Sequence, residues 1–298
     1  MPSQTTLLAL AVVLIACCVI PLRTLQPSST KHNYGEWALV AGASEGLGEA
    51  WAKRLCQNGL NVLLVARRER MMHELAVDLM EEYPSCTVDV LVQDLAAATT
   101  EIDKLFAQVF TLRPFGVLVY NAAHVGKGYF VETSLATQQT TLAVNVQGVM
   151  TLTHLFTQQL VKDKRPGGVI LMSSIAGVVG NGYYANYAAT KSYITSLATG
   201  LYWEMQSQGV DILACVAGAT NTTNYRQQTK RTSPWVMVQE PEDVTAECWA
   251  ALGKLPSIAT GPANKLGRFL LSRLLSPSMA IDFISRQALQ LINVAVRE

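Results

Sequence analysis

The sequence lacks the features by which metal-binding and nucleic-acid-binding proteins are usually recognised. Its formal net charge is +1 and no dense basic run interrupts that neutrality, which gives no reason to expect nucleic acid or any strongly charged partner. The four histidines include no HxxxH pair, and the six cysteines show neither CxxC spacing nor another metal-ligand rhythm. We therefore expect no metal site, and we interpret the cysteines as reduced, mostly buried thiols.

Linkers and repeats are also missing. No Pro/Gly/Ser-rich stretch, charge block, fixed-period repeat or low-complexity tract divides the 298 residues. A chain of this length, 50% hydrophobic, can bury the core of one large α/β domain, although two small domains remain an alternative. We predict one folded domain over residues 34–298, preceded by an N-terminal segment over residues 1–33.

That N-terminal segment contains a long apolar run, from Leu7 to Leu22, which is a little short of the ~20 residues that span a bilayer. No Lys or Arg precedes the run, whereas Arg23 and Lys31 follow it, so a cleaved signal peptide is disfavoured and the bulk of the chain is expected on the cytosolic side. A secretory segment and a buried core helix remain alternatives. We favour a membrane anchor at residues 7–22, because polar residues separate the run from everything downstream.

From Trp37 onward, short apolar runs alternate with longer amphipathic ones. The runs WALVA, NVLLVA, TVDVLVQ, GVLVY, GVILMSS and VDILACVA are typical of buried strands, and each is followed by a helix-length segment. This alternation predicts an α/β fold in which helices cover both faces of a doubly wound parallel sheet.

The first strand leads directly into a glycine-rich turn, with Gly42, Gly46 and Gly48 ahead of an amphipathic helix. Glycine allows a tight turn, lets a pyrophosphate approach the backbone, and lets the helix sit close to the strand. The free N–H groups and the positive dipole end of the helix favour phosphate. A plain turn is the alternative, and the position between first strand and first helix favours a dinucleotide site.

The second strand indicates which dinucleotide binds. It ends at Ala66 and is followed by Arg67 and Arg68, with no carboxylate at the position where NAD sites hold the ribose 2′-hydroxyl. Arginine there suits the 2′-phosphate of NADP. The alternative is a solvated helix start, and we favour NADP(H) over NAD.

The fifth run places two serines, Ser173 and Ser174, at the carboxyl end of a strand, where parallel sheets bind ligands. Among the ten tyrosines only Tyr187 has a lysine four residues further on, Lys191, and residues four apart share a helix face. A nearby ammonium lowers the pKa of a phenol, which could then exchange a proton with a carbonyl oxygen while hydride is transferred at carbon. Ser174 could hydrogen-bond the same oxygen. A surface pair is the alternative, which the glycine turn in the same chain disfavours.

These residues resemble the short-chain dehydrogenase/reductase family, from about Tyr34 to the C-terminus. GASEGLG is similar to its TGxxxGxG motif, with Ala41 replacing threonine, and YNAA to its NNAG, with Ala123 replacing glycine. Asn145, and Ser174 thirteen residues before the YxxxK motif, also match. The motif PG becomes Ala217-Gly218, so the usual proline is absent.

The resemblance implies roles. Tyr187 would be the proton donor or acceptor, Lys191 would hold the nicotinamide ribose and lower the pKa of Tyr187, Asn145 would support a water relay, and Ser174 would complete the catalytic set. The implied cofactor-binding residues are Gly42, Ser44, Glu45, Gly46, Leu47, Gly48, Arg67, Arg68, Asp94, Leu95, Asn121, Ala122, Ala123, Tyr187, Lys191, Gly218, Thr220 and Thr222. The cofactor half would span about 34–165, and the catalytic and substrate-covering half about 166–298.

Within the family, the opening of the domain resembles the branch of membrane-associated very-long-chain 3-oxoacyl-CoA reductases and 17β-hydroxysteroid dehydrogenases. This resemblance implies a hydrophobic acyl, steroid or other lipid-like carbonyl substrate, and a location at the endoplasmic reticulum membrane with the catalytic domain facing the cytosol. It also implies a homodimer or homotetramer. A substrate-covering segment from Ala219 to Gln239, with Tyr225, Trp235, Val236 and Met237, fits a hydrophobic substrate.

We therefore expect an NADP(H)-dependent oxidoreductase that interconverts a ketone and a secondary alcohol. The alternative is a catalytically silent nucleotide-sensing or scaffold protein with the same fold, which predicts damage to the Ser–Tyr–Lys set.

Overall fold

The apolar runs assemble into one parallel sheet. The computed structural model of the protein describes residues 33–228 and 237–292, and its strand order is β3-β2-β1-β4-β5-β6-β7. The strands are β1 (Trp37–Ala41), β2 (Asn61–Ala66), β3 (Val88–Val92), β4 (Phe115–Tyr120), β5 (Gly167–Ser174), β6 (Val210–Ala217) and β7 (Ser257–Ala259). Each neighbouring pair is parallel, so the six predicted runs all became strands and a short seventh was added.

Helices connect these strands. They are α1 (Leu47–Gln57), α2 (Glu69–Glu82), α3 (Thr99–Leu112), α4 (Leu135–Leu142), α5 (Val149–Asp163), α6 (Ala185–Met205), α7 (Thr223–Gln228), α8 (Pro241–Ala251), α9 (Pro262–Phe269) and α10 (Pro277–Ile292). Two π-helical turns, Ala143–Gly148 and Leu270–Leu274, continue α4 into α5 and extend α9.

Both faces of the sheet are covered, which explains why most of its strands are near-continuous apolar runs rather than alternating ones. Every residue of β1 and β4 is buried. Side chains of α1, α2 and α8 form the core on one face, and those of α3, α5 and α6 form the core on the other. The prediction of a doubly wound α/β sheet is therefore confirmed.

The order of the strands determines where a ligand can bind. β1 is flanked by β2 on one side and by β4 on the other, so the connections leaving this point run in opposite directions. Such a switch point opens a crevice at the carboxyl ends of the strands. Gly42 immediately follows β1 and Asn121 immediately follows β4, and both therefore lie at this crevice.

The prediction of a membrane-anchored protein at the endoplasmic reticulum is corrected by the structure. Within residues 33–228 and 237–292, no helix is both long enough and apolar enough to cross a bilayer. The 21-residue α6 has sufficient length, but polar side chains such as Asn186, Lys191 and Glu204 interrupt it. The anchor proposed at residues 7–22 lies outside the described residues.

The cysteines also differ from the expectation of reduced thiols. Cys56 of α1 is joined to Cys86 before β3, and Cys215 of β6 is joined to Cys248 of α8, with Cα–Cα distances of 5.4 and 5.9 Å. The sequence gives no sign of this pairing, because the partners are 30 and 33 residues apart and meet only when the strands are in register.

Candidate active site

The glycine turn after β1 packs against the end of β4 at a distance that excludes a side chain. Gly42 has a φ of +83°, and a Cβ placed on it would lie 2.5 Å from the Cα of Ala122. The side chain of Asn121 donates to the carbonyl of Gly42 at 2.8 Å and holds the two segments together. Gly48 lies where a Cβ would overlap the Gly42 carbonyl, so it allows α1 to approach the turn.

The two arginines after β2 extend toward this turn. Arg68 donates to the Ser44 hydroxyl through Nε at 3.2 Å and through a terminal nitrogen at 2.7 Å. The same guanidinium lies 2.8 Å from the carboxylate of Glu45. Arg67 is more exposed and lies 3.8 Å from the carboxylate of Asp94. A hydroxyl, two guanidinium groups and two carboxylates therefore meet at the rim of the crevice.

The crevice is a cleft of about 430 Å³. Of the residues predicted to bind the cofactor, those that line it are Gly42, Ser44, Glu45, Gly46, Leu47, Arg67, Arg68, Asp94, Leu95, Asn121, Ala122, Ala123 and Thr222. Thr222 reaches it from the far end of the sheet, where its methyl group would lie 2.8 Å from a Cβ on Gly46.

Four lining residues were not among those predicted: Ala66, Gln93, His124 and Val144. Ala66 ends β2 and Gln93 directly follows β3. Their position at the carboxyl ends of strands could have been predicted from the sequence. His124 follows the YNAA motif directly and contacts Thr141, with 3.0 Å between Nδ1 and Oγ1. Burial, followed by the charge of Arg67, lowers the pKa of His124 below its usual value.

The catalytic set predicted from the sequence converges at the carboxyl end of β5, and none of Ser174, Tyr187 and Lys191 is among the residues that line the cleft. Ser174 ends β5, and its hydroxyl lies within hydrogen-bonding reach of the Tyr187 phenol, in the first turn of α6. Lys191 is one turn further along α6, is 3% exposed, and has its Nζ 5.6 Å from the centre of the Tyr187 ring. Ser173 is turned away and donates to the Lys191 carbonyl at 2.7 Å.

The electrostatics of this set differ from the expectation. Burial raises the pKa of Tyr187 to about 12, while the contact with Ser174 acts in the opposite direction and Tyr184 adds to the increase. Burial lowers the pKa of Lys191 to about 8, and its Nζ donates to the Met172 carbonyl at 2.8 Å. The expected lowering of the Tyr187 pKa by Lys191 is therefore not what this arrangement produces, because loss of solvation is the larger effect.

Asn145 lies in the π-helical turn between α4 and α5 and is fully buried. Its carboxamide accepts from the His124 N–H at 2.8 Å and donates to the His124 carbonyl at 2.9 Å and to the Thr190 hydroxyl at 3.0 Å. Thr190 in turn donates to the Tyr187 carbonyl at 2.7 Å. Asn145 therefore links the strand end at the cleft to the first turns of α6.

Gly218 and Thr220, which were also predicted to bind the cofactor, lie at the base of the substrate-covering segment and do not line the cleft. A Cβ on Gly218 would overlap the Asn264 carboxamide, and Thr220 is 5% exposed. The two ends of the segment are joined, because Asn221 N–H donates to the Gln239 carbonyl at 2.8 Å. Trp235 and Val236 lie outside the described residues, whereas Met237 is 61% exposed.

The residues of the cleft fit a nicotinamide dinucleotide. The glycine turn approaches β4 at a distance that leaves backbone rather than side chain facing the cleft. No side chain caps the N-terminus of α1, so the N–H groups of its first turn, apart from that of Gly48, which donates to the Glu45 carbonyl, are available to an anion such as a pyrophosphate. Ser44 and Arg68 add a hydroxyl and a cation beside them.

Comparison with known proteins gives the same result. A family model of short chain dehydrogenases matches residues 36–233. A 7beta-hydroxysteroid dehydrogenase of Clostridium sardiniense is 30% identical over 237 residues, covering 79% of this chain and 89% of the relative. A very-long-chain 3-oxoacyl-CoA reductase of Coprinopsis cinerea is 30% identical over 200 residues, covering 66% of this chain and 58% of that protein.

Solved structures extend the similarity to the fold. A structure of a 7beta-hydroxysteroid dehydrogenase superposes with a TM-score of 0.76 at 25% identity, covering 84% of this chain and 97% of that one. A short-chain dehydrogenase from Sphingobium yanoikuyae, solved in complex with NADPH, superposes with a TM-score of 0.67 at 22% identity, covering 89% and 99% of the two chains. With its glycine turn at the switch point and its match along most of the described sheet, the chain belongs to the short-chain dehydrogenase/reductase family, the NAD(P)-dependent oxidoreductases that act on CH–OH and C=O groups.

Proposed function

We propose that the protein is an NADP(H)-dependent reductase of a hydrophobic ketone, with Tyr187 as the group that donates the proton. The observation that carries the proposal is the convergence of Ser174, Tyr187 and Lys191 at the carboxyl end of β5. Asn145 links this set, through Thr190, to His124 in the lining of the cleft. A scaffold protein that had lost turnover would not need to keep Ser174, Tyr187 and Lys191 together. The silent alternative is for this reason not favoured.

The protonation states favour reduction. With its pKa raised to about 12, Tyr187 is a neutral phenol at physiological pH and therefore holds the proton that a carbonyl oxygen must receive. The Ser174 hydroxyl is placed to donate to that same oxygen as negative charge develops on it. The bound nicotinamide would supply the hydride. Lys191 adds a buried positive charge that favours the developing alkoxide, and Asn145 positions α6 through Thr190.

Three residues support the choice of NADP(H). Ser44, Arg67 and Arg68 lie where the ribose of the adenine end is expected, immediately after β1 and β2. A 2′-phosphate needs a hydroxyl or N–H donor and a guanidinium, and both are present. Glu45 opposes this choice locally, because its carboxylate occupies Arg68 at 2.8 Å. A phosphate would have to compete with that ion pair.

A hydrophobic substrate is supported by the aromatic surroundings of Tyr187. The ring of Tyr184 lies 6.3 Å from that of Tyr187, and Tyr225 of the covering segment is half-buried. The names of the relatives point the same way, since a hydroxysteroid and a very-long-chain 3-oxoacyl thioester both have a large apolar body, the first with a secondary alcohol and the second with a ketone. The substrate is found by an NADPH-oxidation screen of 3-oxoacyl thioesters, ketosteroids and small aromatic ketones.

The assignment of Tyr187 is tested by Tyr187→Phe, which removes the phenolic proton and keeps the ring. Turnover of the screened substrate should fall by at least a thousandfold, whereas the dissociation constant of NADPH, measured by fluorescence titration, should change by less than about threefold. Tyr193→Phe, on the same helix but packed into the core face, is the matched control and should keep its activity. Unchanged turnover in Tyr187→Phe would overturn the assignment.

A further inference from the structure

A second cavity, of about 670 Å³, lies beyond the cofactor cleft. Its floor is formed by β6 and β7, through Val216 and Ile258, and its walls are α6 on one side and α9 with the following π-helical turn on the other. Among the described residues, none lines both cavities, and the set of Ser174, Tyr187 and Lys191 lines neither wall of the second one. The second cavity is therefore separate from the reacting groups.

The backbone of the α9 wall brings two arginines to the same side. Arg268 and Arg273 are five residues apart, and in a regular α-helix such residues point about 140° away from each other. The turn over Leu270–Leu274 is π-helical, with i→i+5 hydrogen bonds and more residues per turn than an α-helix, which reduces that angle and moves Arg273 toward the side of Arg268. Both guanidinium groups consequently line the cavity.

The positive charge of this pair is not balanced by the protein. Lys265, the third cation of the cavity, lies 2.7 Å from the carboxylate of Glu247. Arg268 donates only to the Ser257 hydroxyl, at 2.9 Å, and no carboxylate lies within ion-pair distance of Arg268 or Arg273 in the part of the chain that the structure describes. Burial, followed by the charge of Arg273, lowers the pKa of Arg268. Arg268 is half-buried and Arg273 is exposed, so the repulsion between the two charges falls mainly on Arg268, and an anion between them would relieve it.

The remaining lining residues include both polar and apolar side chains, and these indicate which chemical groups a ligand would need. The Ser257 hydroxyl of β7 accepts from Arg268 and keeps its own O–H for an oxyanion, whereas the hydroxyls of Ser192 and Thr195 on α6 already donate to the carbonyls of Gly177 and Lys191. Val178, Leu255 and Phe269 are apolar and would be covered by a hydrocarbon surface. The arrangement is that of a site with one charged end and one apolar end.

We propose that this cavity binds an amphipathic anion, with a carboxylate or phosphate headgroup between Arg268 and Arg273 and an apolar body against Val178, Leu255 and Phe269. The guanidinium fork can donate two N–H groups to two oxygens of either headgroup, the planar carboxylate or the tetrahedral phosphate. The site is separate from catalysis, although the turn Ile175–Gly177 that forms one of its borders directly follows Ser174. The proposal does not depend on the identity of the ketone substrate.

The test measures the binding of defined probes to the full chain by isothermal titration calorimetry. Decanoate and decyl phosphate carry the two headgroups, decanol has the apolar body alone, and inorganic phosphate has the anion alone. Decanoate or decyl phosphate should bind at least tenfold more tightly than either decanol or inorganic phosphate, and whichever binds better identifies the headgroup. Equal affinity for decanol, or for inorganic phosphate, would contradict an amphipathic anion site.

Variants locate the binding in the cavity. The double change Arg268→Gln and Arg273→Gln should weaken binding of the better probe at least tenfold, whereas Arg286→Gln, which removes an exposed arginine of α10 paired with Asp282, should not. NADPH affinity should be the same in all three proteins and shows that the fold is intact. Equal binding of the probe to the double variant and to the wild type would overturn the proposal.

A second variant keeps the proposal falsifiable if the double change prevents folding. Ser196 is exposed on the α6 wall, so Ser196→Glu places a carboxylate beside the arginines without disturbing the core. This variant should fold, bind NADPH as the wild type does, and lose at least tenfold in affinity for the probe because its own carboxylate competes for the guanidinium groups. Retained affinity in Ser196→Glu would place the probe elsewhere and would also overturn the proposal.

Discussion

Lys191 is the residue at which stability and chemistry conflict most directly. It is 3% exposed, its ammonium has one hydrogen bond, to the Met172 carbonyl, and burial lowers its pKa to about 8. Burying this charge costs free energy. None of the described groups around it is a carboxylate that would offset that cost. In a reductase, the same charge beside a proton donor favours the alkoxide-like transition state. We infer that the cost is retained for the reaction.

Lys191→Met should therefore stabilise the protein while abolishing turnover. The shift from 10.5 to about 8 corresponds to about 3 kcal/mol of destabilisation at neutral pH, and losing the bond to Met172 returns about 1 kcal/mol of it. The free energy of unfolding from urea titration at pH 7 should thus rise by roughly 2 kcal/mol. Lys162→Met, at the exposed end of α5, is the control, and a variant less stable than wild type would contradict the prediction.

The difference in the free energy of unfolding between Lys191→Met and the wild type should change with pH in one direction. Between pH 8 and 10.5 the unfolded chain keeps the lysine proton and the folded chain has released it, so wild-type stability rises with pH through this window. The advantage of Lys191→Met should accordingly be largest below pH 8 and shrink toward pH 10.5. The comparison is made by repeating the urea titrations of both proteins at several pH values.

Coenzyme choice is also decided by single residues. Arg67→Ala should weaken NADPH binding by roughly 10- to 100-fold and NADH binding much less. The reason is that only NADPH carries the ribose 2′-phosphate that the guanidinium is expected to bind. Arg70→Ala, one turn along α2 and paired with Glu74, is the matched control and should change neither affinity. Equal losses for both coenzymes would count against a 2′-phosphate site at Arg67.

A substitution of Glu45 should change NADPH affinity in the opposite direction. Because its carboxylate occupies Arg68 at 2.8 Å, Glu45→Gln should free that guanidinium and remove a charge that repels phosphate. NADPH should then bind several-fold more tightly and NADH about as before, as measured by fluorescence titration of each coenzyme. Weaker NADPH binding would mean that the ion pair holds Arg68 in the geometry that the coenzyme needs.

At the scale of elements, the two close approaches of the backbone explain how the cleft is built. β1 delivers Gly42 against the end of β4, and the π-helical turn around Asn145 delivers a carboxamide to the backbone of His124. The first was predictable, since a strand followed by GxxxGxG and a helix has one common arrangement. For the second, the sequence identified Asn145 but not the π-helical turn that contains it. Whether a helix takes a π-helical turn depends on what packs around it.

The strands likewise include some that could be predicted from the sequence and one that could not. The six runs foreseen from apolar content form strands of five to eight residues, and all of these except the edge strand β3 are mostly buried, which is why their apolar pattern is visible in the sequence. β7 has three residues, too few for any pattern, and it forms because β6 offers a free edge beside it. Likewise, the pairing of Tyr187 with Lys191 followed from their spacing, but the direction of the Tyr187 pKa did not, since burial is a property of the assembled core.

The close approach at Gly42 makes an element-scale prediction. Gly42→Ala adds a Cβ at a φ of +83° and within 2.5 Å of Ala122, so both strain and overlap oppose it. We expect a loss of roughly 2 to 4 kcal/mol in the free energy of unfolding, together with weaker NADPH binding. Gly59→Ala has a φ of +80° but nothing within 4 Å, so it isolates the strain and should cost only about 1 kcal/mol. Equal losses in the two variants would show that the approach to β4 is not tight.

At the scale of the whole molecule, the two covering layers are tied to the sheet differently. Both cysteine pairs lie on the face covered by α1, α2 and α8, where one joins α1 to the segment before β3 and the other joins β6 to α8. The opposite layer, which contains α6 and hence Tyr187, packs through apolar contacts and hydrogen bonds, and among the described residues no disulfide joins it to the sheet. The layer that contains Tyr187 and the cross-linked layer therefore lie on opposite faces.

This asymmetry predicts how the protein responds to reductant. Closing loops of 30 and 33 residues restricts the unfolded chain by about 3 to 4 kcal/mol each, so reduction should lower the melting temperature markedly. NADPH affinity and turnover measured well below that temperature should change little, because neither pair contacts Ser174, Tyr187 or the glycine turn. Alkylation in denaturant without reductant should leave Cys56, Cys86, Cys215 and Cys248 unlabelled in a peptide mass map. Labelling at those four positions, with the same melting temperature before and after reductant, would instead support the reduced thiols expected from the sequence.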